Sequence, residues 1–542
     1  MTLTHWLRSR LAPRPAPVRR RPQHRPAVEA LEDRLTPSTG GLPDPTFGSG
    51  GQVVSSFTNN LDEANSVAVQ SDGKIVIAGV TQASGSKAPR EVLVARYNAN
   101  GTLDTSFGSG GYTATNDGGG QMALQPQASG PSKILLVGTF SVRNGTRYVA
   151  VARLNANGTL DTTFGTKGEV TTALSDSNVG TGVLVDGSGR ILAAVGATLL
   201  RYTANGALDT TFGNKGQVAT SVIITGSQGL ALQSDGKIVV ASNSAVGGTQ
   251  GHALVLTRIT ANGAIDTTFG TGGTVTTNPV GRSDDNFGGV TLQSDGKIVV
   301  AGSVIVTSPY PESCVLRYNA DGSLDGTFAS GGIAYLVNPA GLFPSRNSGV
   351  AIQSNGEIVA GTKLSDDSDT QQYFAALRVS ASGALDTGYG DGGWASVLVA
   401  NGAAIQAMAL QPDGRVIVAG YVRPSGNTYP TDVALCRFLA SAPQVGAFAA
   451  SASTVTSGSS VTLTASNISD GNPGATVTQV AFYYVDSSGT QQLLGYGTQS
   501  SPGVWTFTFT ISLAPGTYTL FAQATDSFGA LGDPVALTLT VQ

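Results

Sequence analysis

The residues best suited by type and spacing to do chemistry recur in one motif. Its fullest copy spans Asn98 to Gly108 and reads Asn-Ala-Asn-Gly-Thr-Leu-Asp-Thr-Ser-Phe-Gly. The core Leu-Asp-x-Thr-Phe-Gly returns with small variations, its acid at Asp44, Asp104, Asp161, Asp209, Asp266, Asp325 and Asp386. Oxygen-bearing side chains alternating around a Gly are the grammar of a calcium loop. The register fails at both ends, where carboxylates are needed: the first ligand position is Arg96 and the last is Phe107. Another ligand position degrades to Thr203, Thr260 and Ser380 in other copies. A turn suits these residues better, with Asn-Gly supplying the left-handed Gly and the Asp free to cap backbone N–H groups. No cofactor is expected, calcium being the one ion the residue types leave open.

Each motif Asp except the first follows an Arg by eight residues: Arg96, Arg153, Arg201, Arg258, Arg317 and Arg378. Arg437 has no Asp after it, and Asp44 has no Arg before it. These orphans make a seventh pair only if the array closes on itself, so Asp44 is expected beside Arg437. All fourteen residues are read as structural. The motif aromatics are expected to bury between repeats, each stabilising by roughly 1.5–3 kcal/mol.

Other candidates lie in segments that differ between repeats: 58–65, 80–91, 139–147, 242–252, 279–288, 303–313, 337–348, 362–372 and 421–431. Tyr310, Phe343, Tyr421 and Tyr429 are candidate stacking platforms for a sugar or peptide. Asp284, Asp285, Asp366, Asp367 and Asp369 form acidic runs able to hold a cation. No catalytic residue can be assigned, because carboxylate pairs are recognised by separation in space. Of three histidines, His5 and His24 lie near the N-terminus and His252 alone in the body. That argues against a His-based metal site or a Ser-His-Asp triad. Cys314 and Cys436 sit in non-adjacent repeats and are read as small buried apolar residues rather than a disulfide.

The elements that must carry these residues are strands. In the first repeat, 52–57, 66–70, 75–79 and 92–97 read as strands, with an Asp-Gly turn at Asp72-Gly73. The turn recurs at Asp235-Gly236, Asp295-Gly296, Asn355-Gly356 and Asp413-Gly414. The strand after the turn is apolar at nearly every position, as in Ile298-Val-Val-Ala301, so both of its faces must be covered. Seven such units fit a seven-bladed β-propeller over 42–440. In an up-and-down meander the Asp-Gly turns and the motif share one face, and the variable segments share the other.

The repeats resemble the bacterial delta-60 repeat proteins in Leu-Asp-x-Ser/Thr-Phe-Gly, Gln-x-Asp-Gly-Lys and Arg-Tyr-Asn-x-Asn-Gly. The resemblance implies a propeller-like fold on an exported protein and carries no activity with it.

Residues 444–542 hold alternating strands at 460–465, 480–485, 504–509, 517–524 and 535–541, which fit an Ig-like β-sandwich with Phe482 and Trp505 in its core. The segments 480–486, 503–505 and 513–529 resemble bacterial Ig-like modules of surface proteins, which implies a spacer or adhesive unit.

Composition bounds the rest. The chain has 542 residues, 12% charged and 40% hydrophobic, which is not the signature of a disordered chain. Its net charge of −4 conceals a basic N-terminal stretch rich in Arg and Pro. Residues 1–41 are read as a disordered export or sorting segment. Their Val28-Glu-x-Leu-Glu-x-Arg34 resembles an element at the start of many large exported bacterial proteins. The remaining chain is acidic, which excludes nucleic acid as a partner. No run of apolar residues is long enough for a transmembrane helix.

The expectation is an exported, all-β, non-enzymatic scaffold at the cell surface, binding a glycan or protein on its variable-loop face. The alternative is a propeller hydrolase or lyase acting on extracellular polysaccharide. A cluster of acids, Tyr and Arg at the mouth of the central channel would favour the alternative, and loops without convergent polar groups would favour binding.

Overall fold

A computed structural model describes residues 40–542 apart from 59, 85–88, 116–119, 142–146, 175–180, 221–228, 246–251, 280–285, 307–309, 400–401, 425–429, 473–474 and 487–489. The N-terminal export-like segment lies outside the described residues. Among those described there is no helix, and none long and apolar enough to cross a membrane.

Residues 52–438 form seven four-stranded antiparallel sheets. Sheet I runs outward from Leu61–Val69 through Ile75–Gln82 and Glu91–Tyr97 to Tyr112–Thr115. Sheets II, III and IV repeat it, their inner strands starting at Gln121, Thr181 and Leu230. Sheet V begins with Asn286–Leu292, sheet VI with Phe343–Ile352 and sheet VII with Ala404–Leu410. The inner strands touch in sequence, and that of sheet I lies against those of both sheet II and sheet VII. The result is a closed β-propeller.

The sheets are not the sequence units. Each outermost strand comes from the repeat that follows, so Tyr112–Thr115, which lies after the second motif, completes sheet I. This offset closes the ring. The outer strand of sheet VII is Gln52–Ser55, which pairs with Asp432–Phe438 from the far end of the array.

The second strand of each sheet is buried on both sides, as its unbroken apolarity requires. Ile75, Val76, Ile77 and Ala78 are all fully buried, and Ile298 to Ala301 likewise. Cys314 and Cys436 are buried free thiols, and burial pushes the Cys436 thiol well above its ordinary range.

The motif fastens neighbouring sheets. Arg Nε donates to the motif Asp at 2.7–2.8 Å in all seven pairs, from Arg96–Asp104 round to Arg437–Asp44. The other carboxylate oxygen accepts the backbone N–H two residues on, as from Ser106 to Asp104 at 3.1 Å. Each Arg stacks on the motif aromatic, with the guanidinium carbon 4.3–4.8 Å from the ring centre. Each then reaches into the next repeat: Arg96 donates to the carbonyl of Ala156, Arg153 to Ala204, and so on. Arg378 donates to Ala440 and Arg437 to Ala99, so the relay is circular.

A second cation joins five of the acids from the turn between the first two strands. Lys74, Lys133, Lys237 and Lys297 serve Asp104, Asp161, Asp266 and Asp325, and Arg415 serves Asp44. Glu357 stands at the equivalent turn of sheet VI and pairs with Arg378 instead. In sheet III, Arg190 turns back to Asp186.

Residues 447–541 form a four-stranded and a five-stranded sheet around one core. That core includes Val461, Leu463, Phe482, Trp505, Leu520 and Leu539. The connection is held by Gln444 and Ser469, which exchange backbone hydrogen bonds at 2.7 and 3.1 Å. The Asn472 side chain also donates to the carbonyl of Ser441 at 2.7 Å.

Asp44 is fully buried and Arg437 nearly so. Asp44→Ala strands that guanidinium and is expected to cost about 3–5 kcal/mol of unfolding free energy in urea denaturation. The exposed-turn control Asp72→Ala should stay within about 0.5 kcal/mol of wild type. Equal stability of Asp44→Ala and wild type would remove the pair from the closure. The acids also set an acid limit. The Thr268 hydroxyl bond, above the opposing effect of burial and with help from the Thr268 N–H and Arg258, holds Asp266 at about 2. A depressed acid stabilises fully above its unfolded value of about 3.9 and loses that contribution as pH falls through the folded value. The melting temperature should therefore decline from about pH 4 towards pH 2, and a flat profile would contradict the assignment.

Candidate functional site

The two faces of the ring differ in what they can do. On one, the turns and motifs are tied together, as the Lys74–Asp104 bridge at 2.8 Å shows. The motif Asn makes the expected turn: the Asn100 side chain accepts the Thr102 N–H at 3.1 Å, and Gly101 takes φ +85°. Both oxygens of Asp104 are engaged by protein donors.

The variable segments end on the other face, and there the structure opens a cleft of about 500 Å³ across sheets V, VI and VII. Asn286 and Ser303 of sheet V line it, with Ser345 and Lys363 of sheet VI, and Gln406 and Tyr421 of sheet VII. Its apolar surface comes from Ile305, Pro311 and Ala403 to Ile405. The approach to the sheet VII inner strand is fixed by Gln372, which is buried and accepts the Ala403 N–H at 2.7 Å. A concave surface with a few convergent polar groups is the usual form of a small-ligand site.

The sequence candidates fall unevenly about this cleft. Tyr421 lines it. Tyr310 and Phe343 stack on each other, with ring centres 3.8 Å apart at 17°. Their chain neighbourhoods border the cleft at Pro311 and Ser345. Tyr429, Asp284 and Asp285 lie outside the described residues. Asp366, Asp367 and Asp369 do not converge. Asp366 is bonded by its own loop, accepting the Thr370 and Gln371 N–H groups at 2.6 and 2.9 Å. Those bonds, from Gln371 first, hold it well below the ordinary carboxylate range. Asp367 accepts the Tyr310 hydroxyl, and Asp369 lies 3.3 Å from Lys363. Among the described residues, no three His, Cys, Asp or Glu are grouped to hold a metal ion.

Two residues the sequence did not single out complete the site. Glu63 lies on the inner strand of sheet I, next to sheet VII. Burial raises its pKa above the usual carboxylate value, and the charges of Arg90 and Arg423 oppose that rise. Arg423 follows the second strand of sheet VII and stacks over Tyr421, its guanidinium carbon 5.4 Å from the ring centre. Arg423 thus stands against a Tyr of the cleft wall and within the electrostatic reach of Glu63, though neither Glu63 nor Arg423 lines the cleft itself. No pattern in the chain pairs Glu63 with Arg423, 360 positions later; only ring closure brings sheets I and VII together. Nearby, the buried Asp62 carboxylate accepts the N–H groups of Phe57 and Thr58 at 2.8 and 2.7 Å and pins the variable segment ahead of it.

The β-propeller domain family of unknown function DUF5122 matches residues 70–107, 132–164, 186–212, 233–269 and 293–328. Among curated proteins, none matches the sequence. Solved structures are similar at low identity. An α-L-arabinofuranosidase of Fusarium graminearum is 11% identical with a TM-score of 0.37, over 74% of this chain and 98% of the other. A polysaccharide lyase, an ulvan lyase, is 12% identical with a TM-score of 0.27, over 69% and 78%. PorZ, a bacterial surface component of the type-IX secretion system of Porphyromonas gingivalis, is 10% identical with a TM-score of 0.26, over 87% and 68%. The expectation of a non-enzymatic chain is not retained: a glycoside hydrolase and a lyase stand among the structures to which the chain is similar. The repeats matched and the closed ring of sheets make this chain a β-propeller repeat protein.

Proposed function

We propose that this protein is an exported bacterial enzyme that cleaves an extracellular polysaccharide, as a hydrolase or a lyase. The observation that carries the reading is a polar cleft on the variable-loop face with Tyr421 in its wall, Arg423 stacked over that ring and Glu63 within the field of Arg423. A carboxyl with a raised pKa stays protonated further toward neutrality and can donate a proton to a leaving glycosidic oxygen. The same group, once ionised, can take a proton from a sugar carbon in an elimination. Tyr421 offers a ring to a sugar face, and Asn286, Ser303 and Gln406 offer partners to hydroxyl groups. Within this reading the seven sheets are the blades of a seven-bladed propeller of the delta-60 kind. Residues 444–542 are an Ig-like module that spaces the catalytic ring from its attachment. The segment 1–41 directs export.

The test is incubation of the purified full chain with a panel of plant, algal and bacterial polysaccharides. New reducing ends without unsaturated products mark a hydrolase, and ultraviolet-absorbing unsaturated ends mark a lyase. Glu63→Gln should lower turnover by about 100-fold or more while the melting temperature holds. With Glu63 as acid, activity should fall as pH rises through its raised pKa, and that limb should vanish in Glu63→Gln. No cleavage across the panel, or full activity in Glu63→Gln, would overturn the assignment.

A further inference from the structure

The cleft carries a charge pattern that the acidic body of the chain does not. Arg423 holds a guanidinium Nε that is buried and has no hydrogen-bond partner. A buried donor without an acceptor is unfavourable, so its retention calls for a partner that arrives from outside. The stem of Arg423 rests against Gly402, where an added Cβ would lie 2.8 Å from Arg423 Cδ. Gly402 also takes φ +73°, so the backbone there is shaped to let the Arg lie beside the start of the sheet VII inner strand. The guanidinium is then held over Tyr421, a ring that lines the cleft.

Arg423 stands behind the Tyr421 ring of the cleft wall, whereas Lys363 lines the cleft itself and supplies a cation there. It has an anionic neighbour in Asp369 at 3.3 Å, but that carboxylate is largely exposed, and exposed pairs hold weakly. Among the described residues, the cleft lining contains no acid. Glu63 feels the charge of Arg423 from sheet I, but no hydrogen bond to the Arg Nε comes with it.

We propose that the substrate is a uronic-acid polysaccharide, with a sugar carboxylate held between Arg423 and Lys363. This rests on the polysaccharide reading above and narrows it. The planar guanidinium suits a carboxylate in bidentate or side-on geometry, and Lys363 adds a point charge. The neutral groups Asn286, Ser303 and Gln406 remain for hydroxyls. Arg423 is a binding residue here and takes no part in proton transfer.

Calorimetry on the full chain tests this with three hexasaccharides: a uronate oligomer, a sulfated neutral oligomer and an unsubstituted neutral oligomer. The uronate should bind, and its affinity should fall as salt rises. Arg423→Met should weaken uronate binding by about tenfold or more, the loss of one charge-assisted bond. Arg423→Lys should recover part of that loss, and both variants should keep the wild-type melting temperature. Preference for the neutral or the sulfated oligomer overturns the uronate assignment. Uronate binding untouched by Arg423→Met overturns the role of Arg423. Cleavage of a neutral polysaccharide with no uronate binding sinks this inference while leaving the enzymatic reading intact; absence of both binding and cleavage sinks the two together.

Discussion

A carboxylate removed from water must be given partners, and this protein is arranged around seven paired carboxylates, five of them buried and two, Asp209 and Asp386, half-buried. Each motif Asp has an Arg on one oxygen and a backbone N–H on the other. The same Arg covers an aromatic ring and reaches the next repeat. Charge, ring stacking and backbone bonding therefore act through a single side chain. Breaking one member leaves a buried ion without its complement, a cost that exceeds the worth of most surface pairs. Because the relay returns from Arg437 to Asp44 and Ala99, no repeat is terminal. Closure also removes the exposed sheet edge that an open array would present.

That constraint divides the labour between faces. The motif face is bound by interlocking bonds and varies little from sheet to sheet. The opposite face is free to differ, since its segments connect strands already positioned by the ring. There the inner strands of sheets V, VI and VII begin at a cleft with polar groups from each sheet. Glu63 comes within the field of Arg423 only because sheet I abuts sheet VII. The candidate chemistry thus depends on the fastener, though no fastener residue lines the cleft.

Much of the architecture was legible in the chain, and much of the site was not. The Arg–Asp spacing was visible, and the two unpaired members foretold a ring. The apolar second strands announced burial on both faces, and Ile75 to Ala78 are indeed fully enclosed. The offset between repeats and sheets was hidden, because a strand's sequence does not say which neighbour it will pair with. The second cation at Asp104 was hidden too: Lys74 sits in a recognisable turn, but its reach of 30 residues is set by the sheet. The aromatic candidates were chosen as open platforms. Tyr310 and Phe343 instead use one face of each ring on each other, a contact between sheets V and VI. Arg423 carried no sequence signal, since its isolation is a matter of burial.

The central claim is that Asp44 and Arg437 act as a coupled pair that closes the ring. A double-mutant cycle of Asp44→Ala and Arg437→Met, read as unfolding free energies in urea, measures that coupling directly. The account predicts an interaction energy of about 2 kcal/mol or more, because Asp44→Ala strands the buried Arg437, Arg437→Met leaves Asp44 with Arg415 as its one cation, and the double change removes both charges of the pair. Two effects that simply add, to within about 0.5 kcal/mol, would contradict it.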